Sequence, residues 1–153
     1  HGYDGSDFAC VAAEIRCDVD GAPGSNDMPG RLHFRTAPDG GHEPTTRMTI
    51  LNDGKVGIGI TTPDSVLHVV GDFTSQGHIL PHANNTYDLG SNANRFRNVY
   101  TNDLNLCNEG RGNDVDGTSG NWTIQEGEDN LYVINNLTGK KFKMMLQPVE
   151  EGE

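Results

Sequence analysis

No stretch of the chain carries apolar residues at i, i+3, i+4 and i+7 for three turns, which excludes a substantial helix and a coiled coil. Its longest apolar run falls far short of the roughly 20 residues of a membrane span, and no basic-then-apolar leader opens it. Neither membrane insertion nor a signal peptide is expected. Bases are scarce too: 11 Lys and Arg stand against 22 Asp and Glu, a formal charge of -11. Nucleic acid is thereby excluded as a partner, since its phosphates require a clustered basic surface and these bases are spread out. Cysteines number three, Cys10, Cys17 and Cys107. They cannot all pair within one chain, none forms a Cys-x-x-Cys, and free thiols that fill small apolar sites fit a reducing cytoplasm. Large aliphatics are also few. Leu, Ile, Val and Phe total 32 of 153 residues, which with the acidic charge falls near the compositional border of disorder.

What is present argues for order. The apolar residues sit in alternating runs of four to eight, and the polar remainder is mostly Gly, Asn, Asp and Thr, which form turns. Between Arg47 and Val70 three short apolar runs (Met48 to Leu51, Val56 to Ile60, Val66 to Val70) are separated by turn signals at Asn52-Asp53-Gly54 and Thr62-Pro63-Asp64. Each run is too short to bury itself and needs neighbours. A protomer with so little core is rescued by oligomerisation, where the interface supplies the missing apolar burial. The alternation of Gly57 and Gly59 with Val56, Ile58 and Ile60 predicts close backbone approach near a common axis, with Leu67, Val69 and Phe73 buried toward their copies. The sequence opens at His1 rather than Met, so a longer parent protein is expected.

Along the chain, Phe8 to Arg16 alternates as a strand, Asp18 to Gly30 reads as a loop, and Arg31 to Thr36 resumes a strand with Leu32 and Phe34 opposite Arg31, His33 and Arg35. Ala37 to Pro44 turns. Asp72 to Leu80 predicts two brief extended pieces split by Gly77. Tyr87 to Gly90 and Phe96 to Tyr100 flank Ser91 to Asn94 as a hairpin or β corner. From Asn102 the pattern is cleaner: Leu104 and Leu106, Trp122 and Ile124, Leu131 and Val133, then Phe142, Met144 and Leu146 define four strands of an antiparallel meander with one apolar side. Its longest connection, Asn108 to Gly120, is the most exposed-looking element. The Glu150 to Glu153 tail reads as a solvated end.

Sites of chemistry are sparse. Asp18-Val-Asp20-Gly21 and Asp114-Val-Asp116-Gly117 resemble fragments of calcium loops, but neither has the Glu at position twelve that would close one. His33 or His68 could ligate an axial ion only if symmetry tripled it. No Gly-x-Ser-x-Gly and no phosphate loop occurs, and Glu126, Glu128 and Asp129 crowd a turn rather than flank a cleft. No enzyme, cofactor or metal is expected.

The ordered series Pro29-Gly30-Arg31-Leu-x-Phe, Thr46-Arg47-Met48-Thr-Ile, Gly57-Ile58-Gly59-Ile-Thr-Thr-Pro63, Leu67-His68-Val69, Tyr87-Asp88-Leu89-Gly90-Ser91 and Arg95-Phe96-Arg97-Asn98-Val99-Tyr100 resembles the distal, C-terminal regions of viral tail fibres, particularly those of phages and large DNA viruses of marine microbes. The resemblance runs from about Val11 to Val149, with Ile60 standing where a small or polar residue is commoner. It implies an all-β, elongated, intertwined homotrimer, a β-prism or β-helix-like shaft ending in a small antiparallel β head. It also implies a place in the virion after assembly in the host cytoplasm. Many such fibres close with a self-cleaving chaperone; no matching region follows Phe142, so the ending resembles that of fibres lacking it.

On this reading residues 1–80 form the shaft, 81–101 a joint and 102–153 the head. The implied partners are two further copies, upstream fibre and virion proteins, and a host-surface glycan or protein receptor. Aromatics among amides and carboxylates are the equipment for sugars, which singles out Tyr132, Trp122, Arg111, Asn113 and Asp114 as receptor-contact candidates. Tyr132 is expected on the surface, and Trp122 is expected to share a face with Ile124. The alternatives are a polysaccharide-degrading tailspike, which would need a groove flanked by two or three carboxylates, and a non-viral secreted carbohydrate-binding module, which would be monomeric.

Overall fold

A computed structural model of the chain describes residues 10–149. Among them the fold is all-β, nine strands with no helix, as the alternating runs predict. No helix long and apolar enough to cross a membrane occurs among the described residues. The chain divides into two compact units, His1–His82 and Ala83–Glu153.

The first unit holds one five-stranded sheet in sequence order: β1 Ala13–Val19, β2 Gly30–Thr36, β3 Thr45–Ile50, β4 Val56–Ile58 and β5 Leu67–Val69. Its first three pairings are antiparallel and β4–β5 is parallel. Register sorts the side chains cleanly. One continuous row across all five strands is Ile15, Phe34, Met48, Ile58 and Val69, and the next is Cys17, Leu32, Ile50, Val56 and Leu67. Because strand side chains alternate, the opposite face carries Glu14, Arg16, Asp18, Arg31, His33, Arg35 and Thr49. There the charges pair across and along strands: Arg35 bonds Glu14, Arg16 Nε lies 2.8 Å from Asp18, and Arg31 lies 2.6 Å from Asp20.

The β4–β5 crossover, residues 59–66, is shorter than the dozen or so residues such parallel connections usually take. It therefore lies tight on the polar face. A Cβ added to Gly57 would sit 2.3 Å from the Ile60 carbonyl oxygen, and Thr49, beside Gly57 in register, is 0% exposed. This corrects the expectation of glycines lining an axis: Gly57 faces away from the apolar rows and makes room for its own chain. Gly59, at φ 73, turns the backbone into the crossover.

The second unit holds a four-stranded antiparallel meander: β6 Asp103–Cys107, β7 Asn121–Glu126, β8 Leu131–Asn135 and β9 Lys141–Lys143. Leu104, Ile124, Val133 and Phe142 form one wholly apolar row, flanked by the row Leu106, Trp122 and Asn135. The other face carries Asn105, Thr123, Gln125, Tyr132, Lys141 and Lys143, with Ile134 its one aliphatic side chain.

Burial runs opposite to a globular domain's. Among the described residues no aliphatic, aromatic or sulfur-bearing side chain is buried and the buried apolar ones are Pro44 and Pro63 alone, whereas the polar His33, Thr49 and Thr123 are buried. His33 Nδ1 meets Thr49 Oγ1 at 2.9 Å, and the Thr123 hydroxyl donates to Asn105 Oδ1 at 2.6 Å. The apolar faces are open: Ile15 is 68% exposed and Leu67 57%.

Several boundaries differ from the sequence reading. The first strand starts at Ala13 and continues through Val19, because Asp18 and Val19 find register partners in Arg31 and Gly30. Phe8 and Ala9 of the expected strand lie outside the described residues, as does the Glu150–Glu153 tail. Asp72 to Leu80 forms no strand, and Phe73, Ile79 and Leu80 are exposed without a pairing neighbour. Ser91 to Asn94 does turn, with Ser91 N–H donating to Asn94 O at 2.8 Å, but no strands flank it. The last strand stops at Lys143 rather than running to Leu146.

Candidate functional site

The connection between β6 and β7 is held by its own short polar side chains. Asn113 Oδ1 accepts from the backbone N–H of Val115 (2.8 Å) and Asp116 (3.0 Å), an Asx turn. Asp116 Oδ1 in turn accepts from Thr118 N–H (3.0 Å), the Thr118 hydroxyl (2.7 Å) and Asn113 Nδ2 (2.7 Å). Asn108 Oδ1 receives the Gly120 N–H at 2.5 Å and so ties the loop's far end to β6. The neighbouring turn after β8 is capped by Asn135 Oδ1, which accepts from Leu137 and Thr138 N–H at 3.0 Å each.

These two connections wall a groove of 560 Å³ over the end of the apolar face. Its floor is Leu106, Trp122 and Leu137, and its rim is Asn108, Asn113, Thr118, Ser119 and Asn135. Trp122 is half-buried: its indole edge rests on Gly120, where an added Cβ would meet Nε1 at 2.8 Å, and its ring is tilted at 43° to Phe142 with centroids 5.9 Å apart. None of the ten lining residues is Asp, Glu, Lys, Arg or His.

The candidates named from sequence are only partly brought together. Trp122 and Asn113 line the groove. Arg111 lines a separate depression of 260 Å³ with Asn84, Asn85 and Glu109. Asp114 lies on the loop's exposed side and contributes to neither. Tyr132 is on the opposite sheet face, as its alternation predicts, with its ring over Gly127. Leu106, Ser119, Asn135 and Leu137 were not legible as site residues, because they come together only when the two connections fold over the same strand ends.

The acidic fragments are used internally. Asp116 closes its loop, and Asp20 Oδ2 accepts the Asn52 N–H at 3.0 Å while Oδ1 meets Arg31. No cluster of metal-ligating residues occurs among the described residues. Both His33 and His68 stand on the polar face of the first sheet, His33 against Thr49 and His68 Nδ1 3.0 Å from Asp64.

The backbone N–H of Thr118, then its hydroxyl and the Asn113 amide, hold the Asp116 carboxyl below its ordinary 3.8. A carboxylate depressed by folding stabilises the loop fully above its unfolded value, and that contribution is lost as pH falls through the depressed one. We expect the Thr118 amide resonance to titrate with a midpoint below 3.8; a midpoint at or above it would mean the carboxylate does not hold the loop. Comparison of the sequence with protein-family models and with curated proteins gives no match.

Proposed function

We propose that this chain is a segment of a viral tail fibre, a homotrimer that reaches from the virion and attaches it to a host surface through repeated receptor contacts. The observation that carries the reading is the absence of any buried aliphatic or aromatic side chain among the described residues, beside two sheets that each present an open apolar face. A compact monomer of 16.6 kDa exposes about 7,600 Å² and two separate units of half that mass about 9,100 Å². This chain exposes 13104 Å². That is more than two free-standing units would expose.

Covering the faces with copies of the same chain also protects strands that are otherwise open to edge pairing. The number three, and the viral setting, come from the resemblance of the Pro29 to Tyr100 series. Three heads on one fibre, and several fibres on one particle, let individually weak contacts add through effective concentration. A groove lined without carboxylates supports binding rather than glycoside cleavage, which uses a carboxyl pair.

Sedimentation equilibrium at micromolar concentration tests the assembly. The expected mass is three times 16.6 kDa, retained without boiling in detergent because such assemblies unfold slowly. A species of 16.6 kDa would remove the basis of the fibre reading.

A further inference from the structure

From the groove on the second unit we infer a binding site for a neutral saccharide, with Trp122 as the stacking surface. The chemistry of the lining selects this class. A pyranose ring presents an apolar C–H face and a girdle of hydroxyls, and it needs a flat aromatic or aliphatic floor with short uncharged hydrogen-bonding groups around it. The floor of Leu106, Trp122 and Leu137 meets the first need.

The rim meets the second in a limited way. Most of the hydrogen-bonding capacity of Asn113 and Asn108 goes into shaping the loop. Asn135 spends its oxygen on the turn, which leaves its Nδ2 amide free to donate. The Ser119 hydroxyl and Trp122 Nε1–H also have no partner among the described residues. The lining residues thus bring one hydroxyl and two donor nitrogens without partners to a groove of 560 Å³, room for one or two sugar rings.

Charge argues for neutrality. In a chain of net charge -11 the groove holds no charged residue of either sign. An anionic sugar would meet no cation there while entering an overall negative field. A cationic ligand would gain the indole face but no carboxylate, and the free rim groups are N–H and O–H donors that suit an acceptor instead.

The groove also explains why the apolar face of the second sheet is not uniform. The row Leu104, Ile124, Val133 and Phe142 is apolar across all four strands and suits a neighbouring copy, whereas the next row passes from Leu106 and Trp122 to an amide at Asn135. Leu106 and Trp122 of that second row belong to the floor of the groove, and Asn135 to its rim. The proposal rests on the attachment reading of this unit but not on its trimeric state, since every lining residue belongs to one chain.

The test uses the full chain, whose single tryptophan is Trp122, so that fluorescence excited beyond the absorption of its four tyrosines reports on the groove alone. Methyl glucoside, galactoside and mannoside are titrated to about 100 mM, in line with millimolar affinity for a small shallow site. Glucuronic acid and glycerol are the charged and non-ring controls. At least one neutral glycoside is expected to shift the emission saturably and to slow acrylamide quenching, with glucuronic acid at least tenfold weaker. Ser119→Ala is expected to weaken binding about fivefold, the loss of one neutral hydrogen bond, with an unchanged circular dichroism spectrum. A Trp122 reached by acrylamide but unmoved by every glycoside would overturn the proposal. So would a Trp122 shielded from acrylamide in the assembled protein, because a neighbouring copy then fills the groove. Equal or tighter binding of the uronic acid would overturn the neutral class. The sedimentation mass, measured on the same samples, reports separately on the fibre reading.

Discussion

An Ile58→Asp chain is expected to sediment at 16.6 kDa under conditions where the unaltered chain is a trimer. Ile58 stands in the five-strand row with Ile15, Phe34, Met48 and Val69, and 43% of it is exposed when the chain is alone. Within one chain the substitution therefore removes only part of a contact surface. Within an assembly closed by this face it places carboxylates from every copy in a desolvated interface, at a cost of several kcal/mol for each unpaired charge. That loss falls on association, and because a lone copy has no aliphatic core of its own the circular dichroism of the sheet should weaken as the mass drops. Ile58→Leu, which keeps the apolar surface, should leave the mass unchanged. Lys143→Glu shifts the chain's charge further, from -11 to -13, but on the polar face of the second sheet, and should also leave it unchanged. An intact trimer in the Ile58→Asp chain would show that the apolar face of the first sheet is not where copies meet.

The two-residue period of side chains made much of the fold legible. Leu104 with Leu106, Trp122 with Ile124, and Leu131 with Val133 each place two apolar groups on one side of a pleat. The structure registers them across the meander as read. The Asn52-Asp53-Gly54 turn was equally plain, since Gly54 sits at φ 82 and closes onto Leu51 O at 3.0 Å. What escaped was set by partners distant in sequence. Asp18 looks like a loop residue until Arg31 is seen opposite it, and the runs around Phe73 and Ile79 look like strands although nothing among the described residues pairs with them. The groove was half legible. Trp122 and Asn113 carry recognisable chemistry, while Ser119 and Leu137 acquire a role only from the closure of two loops. Tyr132, chosen for its exposure, is exposed, but on the face away from that groove.

Gly57→Ala is expected to destabilise the first sheet by about 3 kcal/mol, toward the upper end of what overpacking costs. The reason is positional rather than conformational. Gly57 lies outside the left-handed region, so its backbone suits alanine, but the added methyl would sit 2.3 Å from the Ile60 carbonyl oxygen and 3.1 Å from the Ile60 side chain. A backbone oxygen in a short crossover cannot swing aside as a side chain can. The crossover must lift, and with it goes β5, which is three residues long and held to the sheet only by β4. Hydrogen exchange locates the damage: the Val70 N–H, which donates to Ile58 O at 3.0 Å, should lose protection first. Gly54→Ala supplies the contrast. Its φ of 82 disfavours alanine by about 1 to 2 kcal/mol, yet nothing lies within 4 Å of the new methyl. Its effect should stay local to the turn. If the two variants lowered the urea midpoint equally and left Val70 equally protected, the crossover would not be packed on Gly57, and the burial of Thr49 beneath it would need another cause.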